Sequence, residues 1–101
     1  MEVFMINPVK GKLILEDGSV YEGDLLNGVP HGKGKQTYSD GSVYEGDLVN
    51  GKFQGKGKIT YFFGGVYEGE WANGEQNGHG RMTYSDGTVH EGIFVNSEYA
   101  K

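Results

Sequence analysis

Four glutamates recur along this 101-residue chain, Glu22, Glu45, Glu68 and Glu91, each 23 residues from the next. Neighbouring carboxylates can act as general acid and base or hold a hard cation. Lys12, Lys35, Lys58 and Arg81 keep the same step, and an exposed ion pair is the ordinary role for such facing charges. His31, His79 and His90 occupy different columns of the repeat, whereas the ligands of a metal must converge on one point. Gly32-Lys33-Gly34-Lys35 and Gly55-Lys56-Gly57-Lys58 suggest phosphate binding. They lack the spacing and the following helix of a nucleotide-binding loop. No serine has a His and an Asp outside the repeat pattern to activate it. The residues read as non-enzymatic, with no metal and no cofactor.

Composition narrows the class. Nineteen glycines, 13% aromatic residues and two prolines suit a turn-rich β protein. The formal charge of −5 argues against nucleic acid as a partner. The absence of cysteine rules out a disulfide framework and fits a reducing compartment. No run is long enough for a membrane helix, and residues 1–6 lack the features of a secretory leader. The expectation is a small soluble cytoplasmic protein, with attachment to a membrane surface as the alternative.

The elements that must position these side chains are strands. Tyr21-Glu22-Gly23-Asp24-Leu25 returns as Tyr44-Glu45-Gly46-Asp47-Leu48 and Tyr67-Glu68-Gly69-Glu70-Trp71, then in weakened form as His90-Glu91-Gly92-Ile93-Phe94. Self-similarity at a fixed step marks an array in which each unit packs only on its neighbours. Asp17-Gly18, Asp40-Gly41 and Asp86-Gly87 lie between alternating runs, a strong hairpin signal. The pattern predicts an all-β chain of four successive hairpins, eight strands from about Gly11 to about Val95. The segments are a cap over 1–10, a half repeat over 11–20, repeats over 21–43, 44–66 and 67–89, a degraded repeat over 90–96 and a tail over 97–101. Longer glycine-bounded loops are expected after Asn27, Asn50 and Asn73.

Parity sets the register. A three-residue loop Ser39-Asp40-Gly41, with left-handed glycine, places Lys35 opposite Glu45, Lys33 opposite Asp47 and Gly34 opposite Gly46. The same shift sets Lys12 against Glu22, Lys58 against Glu68 and Arg81 against Glu91. One face then carries tyrosines, Leu48 and Trp71 over interleaved glycines, so that rings lie flat on the backbone and form a core of their own. The other face carries stripes of lysine and glutamate with Thr37, Thr60 and Thr83, in which Lys35, Lys58, Lys33 and Lys56 are neutralised.

Taken together, Tyr-Glu-Gly-Asp/Glu, Asn-Gly, Gly-x-Gly and Asp-Gly at constant spacing resemble the MORN (membrane occupation and recognition nexus) repeat, over residues 11–96. The resemblance implies an elongated single-layer antiparallel sheet with a groove along one face. It also implies a non-catalytic scaffold that binds proteins, self-associates or associates with phospholipid.

The departures from the repeat are the candidate contacts. The third turn reads Tyr61-Phe62-Phe63-Gly64-Gly65 where the others carry an acid before glycine, and two rings at a turn are costly to leave in water. Phe53 adds a ring in the segment before it. Partner binding is assigned to Tyr38, Tyr44, Tyr61, Phe62, Phe63, Tyr67, Trp71 and Tyr84, for a peptide segment or helix of another protein or a second copy of the chain. The alternative, anionic phospholipid, would use Lys33, Lys35, Lys52, Lys56 and Lys58 with the Phe62-Phe63 tip. In the last repeat, Ile93 and Val95 face the charged side of an edge strand, to be covered by Val3–Ile6 or by strand addition.

Overall fold

The computed structural model describes residues 9–101. Nine strands are present among them: β1 (Val9–Ile14), β2 (Val20–Leu26), β3 (Val29–Thr37), β4 (Val43–Val49), β5 (Lys52–Thr60), β6 (Val66–Ala72), β7 (Glu75–Thr83), β8 (Val89–Val95) and β9 (Glu98–Tyr99). They form one antiparallel sheet whose order is the order of the chain, as hairpin-only connections require. Its extents are 56 × 29 × 16 Å, those of a ribbon one sheet thick. The expected cap over Val3–Ile6 lies outside the described residues, and Val9 and Lys10 already belong to β1.

Two kinds of turn alternate along the edges. On one edge, Tyr38 N–H donates to Ser42 O and Gly41 N–H to Tyr38 O, at 2.8 and 2.9 Å. This is the three-residue loop with left-handed glycine that parity predicts. On the other edge, tight turns stand where long loops are expected. Asn27-Gly28, Asn50-Gly51 and Asn73-Gly74 are two-residue turns with positive φ throughout, the mirror-image type I geometry that Asn-Gly favours. The residues assigned to loops instead lengthen β3, β5 and β7 to nine residues each.

The predicted register holds. Lys35 pairs with Glu45, Lys33 with Asp47, Lys58 with Glu68, Arg81 with Glu91 and Lys12 with Glu22. Gly11, Gly23, Gly34, Gly46, Gly57, Gly69, Gly80 and Gly92 form one continuous row across eight strands. Tyr21, Tyr44 and Tyr67 lie over this row, fully buried. A Cβ on Gly57 would overlap the Tyr44 ring and hydroxyl, so the glycine makes room for the ring. At Gly46/Leu48 the register shifts by a bulge, and Tyr44 Oη donates to Asp47 O there at 2.7 Å; Tyr21 and Tyr67 repeat the contact. Each ring therefore fills the core while its hydroxyl satisfies a carbonyl beside the irregularity.

Leu25, Leu48, Trp71 and Phe94 complete the core along the next column, with Phe53, Ile59 and Met82. Phe53 lies on β5 rather than in a loop, stacked on Tyr44 with centroids 3.6 Å apart. Trp71 Nε1–H donates to Gly57 O at 3.0 Å. The C-terminal edge differs from expectation. β8 is not bare at Ile93 and Val95, because Phe94 pairs with Tyr99 and Val95 with Glu98, and Ile93 N–H donates to Lys101 O at 2.6 Å.

Candidate interaction surfaces

The charged face carries two parallel ladders. One runs Lys12, Glu22, Lys35, Glu45, Lys58, Glu68, Arg81, Glu91, alternating in sign across eight strands. Sequence reasoning neutralised Lys35 with Glu45 and Lys58 with Glu68. These residues do face each other, but among the described residues no ion pair forms between them within 4.0 Å. Glu22, Glu45 and Glu68 each stand between two cations one strand spacing away, so charge is shared along the row rather than held in pairs.

Direct ion pairs form in the second ladder: Lys10–Asp24 at 3.0 Å, Lys33–Asp47, and Lys56–Glu70 at 4.0 Å. Its carboxylates also serve the backbone. Asp24 and Asp47 accept the N–H groups of Lys33 and Lys56 at 3.1 Å, and Glu70 that of His79 at 2.6 Å. The Lys33 ammonium holds the Asp47 carboxyl below the usual carboxylate range, and the Lys56 N–H adds to the effect. For Asp24 the Lys33 N–H is the main cause and Lys10 the second. Sequence reasoning assigned these acids to surface pairing only; the glycine of positive φ in each facing strand (Gly32, Gly55, Gly78) was the available signal.

The five candidate lipid-binding lysines are all exposed, but they do not share one place with the aromatic tip. Lys33, Lys35, Lys56 and Lys58 stand on the charged face. Lys52 follows the Asn50-Gly51 turn, on the edge opposite Phe62 and Phe63. The histidines occupy separate strands: His31 Nδ1 accepts from Asn50 N–H at 3.3 Å, His79 lies on β7, and His90 on β8 contacts Tyr84 Oη through Nδ1 at 3.2 Å.

The aromatic candidates divide by burial. Tyr44, Tyr67 and Trp71 lie inside the sheet's own core. Burial pushes the Tyr44 phenol up and, with the Glu70 charge, pushes Tyr67 up to about 12. Tyr38, Tyr61 and Tyr84 are half-buried along one edge, packed on the core. A shallow hollow beside Tyr38 is lined by Gln36, Gly51, Lys52, Phe53 and Gly74. Phe62 and Phe63 stay 64% and 54% exposed.

The third turn is built to hold those rings out. Phe63 stacks on Tyr61 with centroids 5.1 Å apart and meets Phe62 edge to face. Phe62 N–H donates to the buried Ser42 Oγ of the neighbouring turn at 3.0 Å. The other turns place Ser or Thr where this one has Gly65. A Cβ there would come within 2.9 Å of the Phe63 ring and 3.1 Å of Met82, so the glycine accommodates the ring laid across it.

A search of curated proteins finds no match. The MORN repeat model matches three consecutive segments, residues 21–43, 44–62 and 67–89. Repeats of this kind generally form non-catalytic scaffolds for protein or membrane interaction. Among the described residues no helix is long and apolar enough to cross a membrane. With most of its length covered by the three matches and the sheet built of two antiparallel strands per repeat, the chain belongs to the MORN-repeat family.

Proposed function

We propose that the chain is a non-catalytic scaffold that captures an extended or helical segment of a partner protein at the edge formed by Tyr38, Tyr61 and Tyr84, centred on Phe62 and Phe63. Tyr44, Tyr67 and Trp71 lie beneath and keep the platform rigid. The observation that carries this reading is the exposure of two phenylalanines at a turn where the repeat otherwise supplies polar residues. Exposed rings set on a rigid support are the usual anchors of binding energy. The cysteine-free composition suits the cytoplasm.

The test replaces the rings with the residues of the sister turns, Phe62→Ser with Phe63→Asp. Affinity capture with the native chain should retain a partner, and the purified partner should bind the double variant at least tenfold more weakly. Equal binding by the two chains refutes the aromatic site. Sedimentation with anionic vesicles is run in parallel. Salt-sensitive binding to the vesicles, with no protein retained, would favour a peripheral phospholipid adaptor through Lys33, Lys35, Lys52, Lys56 and Lys58.

A further inference from the structure

Phe62 and Phe63 stand on a rim made by four successive turns, residues 15–19, 38–42, 61–65 and 84–88. The turns lie against one another: a Cβ on Gly41 would come 3.9 Å from Phe62 Cβ, and one on Gly64 3.4 Å from Ser85 Cβ. Around the rings the rim carries Glu16, Asp17, Asp40 and Asp86, all exposed, and these turns hold no Lys, Arg or His. The acids of the two ladders stand opposite cations. Among the described residues, the rim acids have no cation within 4.0 Å. Asp17, Asp40 and Asp86 each accept a turn N–H on Oδ1 at 2.8 Å, which fixes the carboxylate through one oxygen. The rim is apolar at the rings and negative on both sides of them.

We propose that the segment captured at the tip is a basic amphipathic helix, with apolar side chains on Phe62 and Phe63 and a Lys or Arg over Asp40 on one side and Asp86 on the other. The inference rests on the tip being the partner site, and it gives that partner its charge and its spacing. The seat is the pair of exposed rings; the acids decide which apolar segments occupy it. Sister turns lie two strands apart, about 10 Å along the rim. A β-strand returns to the same side at about 6.7 Å and then at about 13 Å, and misses both acids. An α-helix presents residues seven apart on one face, about 10.5 Å from each other. An apolar residue on the rings therefore sets the positions seven before and seven after it over the two aspartates. Like charge works against an anionic membrane at this rim, and it rejects acidic helices of the same shape.

The probes are two alanine-rich helical peptides of about 21 residues. Both have a central leucine, with further leucines three and four residues to either side. One carries lysine and the other glutamate seven residues to either side of the centre. Fluorescence polarisation with the full chain should show the lysine peptide binding at least tenfold more tightly at low salt, the gap narrowing as salt rises. Asp40→Asn with Asp86→Asn keeps an acceptor oxygen for each turn N–H, and should bring the two peptides within about twofold of each other. Asp40→Lys with Asp86→Lys should invert the preference. Thermal melts confirm that each variant is folded.

No binding of the lysine peptide, equal binding of both peptides by the native chain, or a preference that survives the two asparagines overturns the proposal; none of these touches the aromatic site, which the capture experiment tests by itself. Phe62→Ser with Phe63→Ser leaves the charge of the rim unchanged and should abolish binding of both peptides. If the lysine peptide still binds that variant, the rings are not the seat, and the aromatic site falls together with the proposal. Sedimentation of the native chain with anionic vesicles, lost in the same serine variant, would assign the tip to a lipid surface and overturn the basic helix.

Discussion

A tyrosine over a glycine is the unit on which this protein is built. Gly57 has an ordinary backbone conformation and is required for space, because any Cβ would overlap the Tyr44 ring. Gly74 is the converse: its surroundings are open, and its φ of +85° is what demands glycine. The same substitution should therefore cost different amounts. Gly57→Ala forces the ring off its seat and is expected to destabilise by roughly 2–3 kcal/mol, the upper range of overpacking. Gly74→Ala stores only backbone strain, about 1 kcal/mol. For a chain of this size each kcal/mol moves the melting temperature by about 4–8 °C, so thermal melts separate the two. Equal shifts would refute the account of the glycine row.

At the scale of the hairpin, the third turn exchanges turn stability for exposed rings. In the other three turns an aspartate accepts the N–H two residues on: Asp17 from Ser19, Asp40 from Ser42, Asp86 from Thr88, each at 2.8 Å. Phe63 stands in that column and cannot. Phe62→Ser with Phe63→Asp should restore the bond and remove exposed apolar area, leaving the melting temperature unchanged or a few degrees higher while partner binding falls. A clear loss of stability would mean that the rings serve the fold. Strand parity makes the register and the two faces legible from the residues alone, because a one-residue slip would set rings against charges. The Asn-Gly turns are legible too, yet the glycines after them suggest loops, and only the bulge opposite Asp24, Asp47 and Glu70 explains those residues. β9 carries no periodic signal, being two residues long. The depth of Tyr44, Tyr67 and Trp71 is likewise hidden, since an aromatic column reads the same whether it lines a groove or fills it.

As a whole molecule, a one-layer sheet should protect its phenols less well than a closed core, yet Tyr21, Tyr38, Tyr44, Tyr61 and Tyr67 are all shifted upward, each chiefly by burial. A raised phenol keeps its proton longer in the folded state than in the unfolded chain, where it leaves near pH 10. That part of the stability is complete below about pH 10 and is lost as pH rises toward the folded values. Asp17, Asp24, Asp47 and Asp86 are shifted down by hydrogen bonds to their carboxylates. Their contribution is complete above about pH 4 and is lost as pH falls below it. Melting temperature should thus hold level between about pH 5 and about pH 9 and fall on both sides. The acid fall should be shallow, because Asp17 and Asp86 are exposed and Asp24 and Asp47, though half-buried, lie on the solvent-facing side of the sheet. The alkaline fall should be steep and shared. Each phenol that ionises opens the ring stack on its neighbour, since Trp71 contacts both Tyr44 and Tyr67 edge to face at 5.3 Å. Phenolate absorbance and far-ultraviolet circular dichroism, followed together on raising the pH, should change in one coincident step above pH 10. If the buried phenols ionised near pH 10 with the sheet intact, hydroxide would be reaching the rings, and this face would be an open groove rather than a core.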